Sequence, residues 1–211
     1  VLDEGGAVVE GAFPGVKPKT AVIGTCEKGQ MDVELSMKSK GGHTSAPPPK
    51  TPVAALCRAV TQLEKHPFPA ALTPAAAEMF DTLGRHSTFA MRLIFANLWC
   101  FLPLLKLICT KSGGEMNALM RTTCCFTMME GSRAANAIPT EAHMTANLRL
   151  SPRDTMETAE TYLRRTIGDA DVSLRRIQGT DPPHFPDEPR NGNVFAPPCG
   201  RHGRRRSSLR I

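Results

Sequence analysis

Residues 31–45 read MDVELSMKSKGGHTS. Met31, Val33, Leu35 and Met37 alternate with Asp32, Glu34, Ser36 and Lys38. Successive strand side chains point to opposite faces, so the alternation predicts a half-buried antiparallel strand. The strand gives out at Gly41-Gly42, and a histidine follows, ahead of a hydroxyl pair and the prolines of SAPPPK. A polar ring placed just where a strand ends needs an explanation beyond the fold.

A second alternating stretch, EAHMTANLRLS at 141–151, sets Ala142, Met144, Ala146, Leu148 and Leu150 on one face. His143, Thr145, Asn147 and Arg149 fall on the other. Between the two lies TPVAALCRAVTQLEKH, predicted to be a helix with Thr51 as N-cap and Pro52 at its first position. Its apolar stripe is Val53, Leu56, Cys57, Val60 and Leu63. Asp154 is placed to cap a second helix with Glu157 three residues on, and Met156, Ala159, Leu163 and Ile167 form its inner stripe. AVIG at 21–24 reads as a strand joined to the first near Lys28-Gly29, MNALMRTTCCFTMMEG as another, and DVSLRRIQG as the last.

The expected fold is therefore α+β, a ferredoxin-like antiparallel sheet of four strands with two helices on one face. Residues 67–112 are expected as a helical insertion within a domain running from 19 to 180. Residues 1–18 read as a strand end and a Gly/Pro-rich link. Residues 181–211 combine many prolines with few apolar side chains and are expected to be a disordered basic tail.

Net charge of +6 suggests nucleic acid until it is located: RHGRRRSSLRI at the end holds five arginines, which leaves the rest close to neutral. The apolar run 89–109 is broken at Pro103, and Arg92 and Lys106 bracket only 13 residues of it. A spanning helix wants roughly 20 apolar residues, so a buried or interface helix is expected and no membrane span. The seven cysteines include no CxxC and are expected to be reduced, mostly buried thiols of a cytoplasmic-type protein. Cys124 and Cys125 are adjacent in a strand and must face opposite ways.

Four stretches in this order resemble one family: VLDEGG at 1–6, EKG…GGHTSAPP at 27–48, NAIPTEAHMTANLRLSPRDT at 136–155 and YLRRTIGD at 162–169. The family is the co-catalytic zinc metallopeptidases that include carboxypeptidase S-like enzymes, aminoacylases and succinyl-diaminopimelate desuccinylase. The carboxypeptidase S branch writes the region DEGG…EKG…GHTS-P. The resemblance implies a catalytic α/β domain holding two zinc ions and a ferredoxin-like lid inserted in it, with lids pairing into a homodimer. Residues 1–18 would then include a remnant strand of the catalytic domain.

By the same resemblance, Asp3 is implied as a zinc ligand, while its neighbour Glu4 receives no metal role. His43 would reach into the partner's active site and stabilise the oxyanion, work that needs a well-placed donor. Gly41 and Gly42 would let the backbone turn there. Asn136 would bond the substrate through its amide, and Arg149 would hold its carboxylate with a planar fork. The substrate implied is a peptide or N-acyl amino acid, cleaved at its amide. Taken singly, Asp3 and Asn136 read as turn residues, His43 as a loop histidine and Arg149 as an exposed strand residue; the set in order favours function. His66, His86, His143, His184 and His202 fit no ligand pattern.

A hydrolytic zinc site needs about three protein ligands per metal, and Asp3 alone cannot hold one. The expectation is a fragment, mainly a lid, that is inactive alone and does not bind zinc stably. The tail is expected to be foreign to the family. Two rivals stand beside it: a ferredoxin-like interaction module whose basic tail binds nucleic acid or another anionic partner, and a membrane-associated chain using 89–109. One tryptophan and one tyrosine give no aromatic platform for bases, and neither nucleic acid nor membrane is the expected partner.

Overall fold

The computed structural model describes residues 7–183 apart from 12, 14, 23, 25 and 26. Asp3, Glu4, His184, His202 and the arginine-rich tail lie outside the described residues. In chain order the elements are β1 (Ala7–Val9), β2 (Thr20–Val22), β3 (Gly29–Lys38), β4 (Gly42–His43) and α1 (Pro52–Lys65). Then follow α2 (Pro74–Arg85), α3 (Phe89–Ala96), α4 (Leu98–Ser112), α5 (Gly114–Met120) and β5 (Thr123–Glu130). The last are β6 (Ala137–Ile138), β7 (Glu141–Leu150), α6 (Met156–Ile167) and β8 (Ser173–Thr180). The protein is a mixed α+β fold built on antiparallel sheets.

The two alternating stretches are the central strands. β3 and β7 pair antiparallel over ten residues, from Gly29↔Leu150 to Lys38↔Glu141. β5 adds beyond β7 and β8 beyond β3, giving the order β5-β7-β3-β8, all antiparallel. Met31, Val33, Leu35, Ala142, Ala146, Leu148 and Leu150 are all buried on one face. That face is covered by Ala55, Leu56, Ala59 and Leu63 of α1 and by Ala159, Leu163 and Ile167 of α6. Burying a full leucine or methionine side chain is worth roughly 1.5–3 kcal/mol, so this layer is the main source of stability.

Helix ends are fixed locally, with two departures from the expected caps. Pro52 opens α1, but the Thr51 side chain makes no capping bond. α6 is capped by Thr155, not Asp154, through a capping box with Thr158. Asp154 accepts instead from the hydroxyl of Thr122, tying β5 to the turn before α6. Cys57 is exposed, because Ala55 and Ala59 take the inward positions of α1.

A second apolar cluster sits among α2–α5 around Phe80, Phe95, Leu105, Cys109 and Met120. Phe80 and Phe95 stack at 5.3 Å between centroids. A Cβ on Gly84 would lie 2.9 Å from that of Phe95, so the close approach of α2 and α3 requires glycine. Residues 116–120, expected in a strand, are helical, and β5 starts only at Thr123. The reason is packing: Met116 and Met120, one turn apart, both meet the second cluster. The break in the 89–109 run falls at Asn97 rather than Pro103, which lies inside α4. Asn97 donates through Nδ2 to the Leu93 carbonyl at 2.9 Å and ends α3 there. α3 and α4 are bent by 116°, and among the described residues no single helix is long and apolar enough to cross a membrane. Trp99 on α4 is 77 % exposed.

β2 pairs with β1 and not with β3, so the strand expected ahead of Lys28-Gly29 is found at Thr20–Val22 in a separate two-stranded ribbon. Among the described cysteines the thiols are not mostly buried: Cys57, Cys100 and Cys125 are exposed, Cys109 is buried and Cys124 half-buried, while Cys26 and Cys199 lie outside the described residues. Cys124 and Cys125 do face opposite ways, and burial, helped by the nearby Cys125 and Glu64, pushes the Cys124 thiol up to about 12.

Leu148→Ala should open a cavity at the centre of the main core and cost about 2–5 kcal/mol, read as a lowered urea midpoint. Thr155→Ala should cost about 1 kcal/mol by removing the α6 cap.

Candidate functional site

His43 is carried by β4, a two-residue strand paired with β6 through Gly42↔Ile138 and His43↔Ala137. The short ribbon depends on the two glycines before it. Gly41 (φ 66°) and Gly42 (φ 149°) occupy backbone regions that L side chains rarely adopt. A Cβ on Gly41 would also sit 3.2 Å from the Ile138 carbonyl oxygen. Ser39 laces the turn by donating its N–H to the Thr140 carbonyl at 2.7 Å and its hydroxyl to the Pro139 carbonyl at 2.8 Å.

The ring of His43 is exposed, and its tautomer is set by the next turn. The Ser45 backbone N–H donates to Nδ1 at 3.2 Å. A backbone N–H can only donate, so Nδ1 must carry a lone pair and the ring proton sits on Nε2. The Ser45 hydroxyl lies 2.9 Å from the same nitrogen and reinforces the arrangement. His43 therefore presents a neutral ring with its Nε2–H available as a donor.

Asn136 stands beside it. Its carbonyl accepts from the Thr44 N–H at 3.2 Å and from the Thr44 hydroxyl at 3.4 Å, one residue past the His43↔Ala137 pair. Asn136 is exposed. The structure thus brings His43 and Asn136 together.

Arg149 is elsewhere. It pairs with Gln30 and Thr123 near the far end of β7, exposed on the polar face of the sheet. Eight residues of β3 separate Gln30 from Lys38, where the strand leaves toward His43. At about 3.3 Å per residue, Arg149 lies roughly 26 Å from the His43 end. Among the described residues Arg149 makes no ion pair within 4 Å, so its guanidinium fork is open to an external carboxylate.

Sequence reading missed the groups around Arg149. Asp32 accepts from Asn147 Nδ2 at 2.6 Å and from Gln178 Nε2 at 2.7 Å. These bonds, the Gln178 one first, hold its carboxyl below the usual range, and the positive charge of Arg149 adds to the effect. The signal was present in the alternation, since Asp32 and Asn147 are directly opposed, but Gln178 could not be placed without the strand order. Ser45 was also missed, although its position two residues past His43 is the spacing for such a bond.

Among the described residues, two further histidines make local contacts. His66 shares Nδ1 with the Gln62 carbonyl at 3.0 Å. His143 lies between Glu34 (3.6 Å) and Glu141 (3.7 Å) on the polar face. Among the described residues no three His, Cys, Asp or Glu side chains converge on a point that could hold a metal. The residues described do not fit a zinc site, and Asp3 lies outside them.

Residues 25–174 match the peptidase dimerisation domain. This chain belongs to the M20 peptidase dimerisation-domain family. The N-fatty-acyl-amino acid synthase/hydrolase PM20D1 of Xenopus tropicalis is 36 % identical over 183 residues, covering 86 % of this chain and 36 % of that protein. The probable carboxypeptidase S-like 2 of Dictyostelium discoideum is 35 % identical over 179 residues, covering 84 % and 34 %. Human carnosine dipeptidase 1 superposes with a TM-score of 0.45 at 12 % identity, over 74 % of this chain and 38 % of that one. The dimerisation-domain chain spans about a third of the length of the curated relatives it matches.

The Asp32 bonds give the dimerisation domain a pH signature. Its folded-state pKa is depressed, so its contribution is present above the unfolded value and lost as pH falls through the folded one. Asp32→Asn should lower stability by about 1 kcal/mol or less at neutral pH, given the solvent near the group. Denaturant midpoints of the variant and the parent should converge as the pH drops through the acid range below the ordinary carboxylate pKa.

Proposed function

We propose that this chain is the lid, or dimerisation, part of a zinc-dependent metallopeptidase or amidohydrolase that cleaves the amide bond of a peptide or N-acyl amino acid. The observation that carries the reading is the bond from the Ser45 N–H to His43 Nδ1, which leaves Nε2–H as a donor on an exposed ring. A neutral donor fixed before the reaction is what stabilisation of an amide oxyanion requires. A C-terminal peptide and an N-acyl amino acid share a free carboxylate beside the scissile amide, and Arg149 is suited to hold it. The names of the two relatives fall in these two substrate classes.

The strand order β5-β7-β3-β8 with α1 and α6 on one face supports a ferredoxin-like lid over residues 19–180, carrying the helical segment as an insertion. Residues 1–18 belong, in this reading, to the end of a catalytic domain. Zinc ligation falls to residues other than those described here, and no step is assigned to the metal.

The separation of His43 from Arg149 shapes the mechanism. Roughly 26 Å is several times the span from an amide carbonyl to its neighbouring carboxylate. If both touch one substrate, they come from different protomers: Arg149 from one chain, His43 with Asn136 from its partner. Two lids would then complete two sites, each with one contribution from each chain. The chain on its own is expected to turn over no substrate.

The test uses the whole protein to which this lid belongs. His43→Ala and Arg149→Ala should each lower kcat/KM on an N-acyl amino acid by about 10²-fold or more. Mixing the two variants under exchange should restore about a quarter of the parent activity, since half the dimers are mixed and each has one intact site. A mixture no more active than its components would overturn the shared-site reading. Full activity of His43→Ala would overturn the role of His43.

A further inference from the structure

We infer that the dimerisation domain carries a separate binding site for a small carboxylate, in the pocket around Arg121 at the seam between the two apolar clusters. The pocket has a volume of about 230 Å³ and is walled by the end of α1, the Asn117 side of α5, the start of β5 and α6. His43, Asn136 and Arg149 do not line it, although Thr123, which does, pairs with Arg149 across the sheet.

Arg121 is only 8 % exposed, yet it makes no ion pair among the described residues. A guanidinium has five N–H donors. One, on Nη2, reaches the Thr110 hydroxyl at 2.6 Å, while Nε is buried with no acceptor. A buried cation without a counter-charge is costly and asks for an anion. The two thiols nearby cannot supply it: burial pushes Cys109 upward, and Cys124 stands at about 12, so both stay protonated. Asp154 is committed to the Thr122 hydroxyl and to the charge of Lys28. Glu64 lines the pocket from an exposed position and forms no ion pair with Arg121.

Asn117 supplies the second requirement. Its Oδ1 is buried without a donor, and the residue lines the same pocket. An acceptor for Arg121 and a donor for Asn117, together with apolar walls from Leu63, Phe68, Phe126 and Leu163, describe one ligand class. It is a carboxylate with a neighbouring N–H and a small apolar side chain, an amino acid or its N-acyl derivative. Phe68 and Tyr162, tilted by 31° with ring centroids 4.5 Å apart, make a wall for the side chain, and the Tyr162 hydroxyl is already held 3.1 Å from the His66 and Pro67 carbonyls.

This site does not depend on the hydrolase reading, and it is tested by binding to this chain. N-acetyl-L-leucine titrated into labelled protein should give saturable NMR shifts at Asn117, Arg121 and Tyr162. N-acetyl-L-leucinamide, which lacks the charge, should bind about tenfold or more weakly. Arg121→Met should lose binding to a similar extent and melt no lower than the parent, because it removes an uncompensated cation. Asn117→Ala, on a half-buried helix position, should weaken binding and decides the matter if Arg121→Met does not fold. Unchanged affinity in Arg121→Met, shifts centred on Arg149, equal binding of acid and amide, or no saturable shift would each overturn the proposal.

Discussion

The ladder between β3 and β7 is the constraint on which the rest depends. Ten residue pairs hold the two strands in one register, and a slip of one residue would turn every apolar side chain to the polar face. The same register that buries Met31, Val33, Leu35, Ala146 and Leu148 sets Asp32 opposite Asn147 and Gln30 opposite Arg149. Core and polar face are thus fixed by a single pairing. It also sets the end of β3 beside the start of β7, so that the chain leaving β3 meets the chain entering β7 at the His43–Asn136 ribbon.

That ribbon is only two pairs long, and its order comes from side chains and glycines rather than from ladder bonds. Ser39 and Thr44 tie it to residues 136–140, and Ser45 orients the ring. The functional reading uses this: a donor on a short, laced, exposed turn can project beyond its own domain. Arg149, by contrast, stands on a rigid strand inside the sheet. The two kinds of placement suit the two jobs proposed, reaching across to a partner and anchoring a charged end.

Strict alternation made the main sheet legible from residues 31–38 and 142–150, and the stripe of α6 was legible from Ala159, Leu163 and Ile167. Elsewhere local patterns competed. Residues 116–120 read as strand because they precede TTCCF, yet Met116 and Met120 bury against a cluster assembled from distant helices, which no local window contains. Asp154 is a good capping residue by type, but Thr122 claims its carboxylate from 32 positions away. His43, Asn136 and Arg149 were singled out through their motifs, and of the three the fold brings His43 and Asn136 together. Gln178, Ser45 and the unpaired state of Arg121 appear only once the chain is folded.

Trp99, the single tryptophan of the chain, stands largely in solvent on α4, away from the β3–β7 core. Its indole is already solvated in the folded chain, so its emission changes little when either apolar cluster is lost. Unfolding of this chain is therefore followed by far-ultraviolet circular dichroism rather than by intrinsic fluorescence.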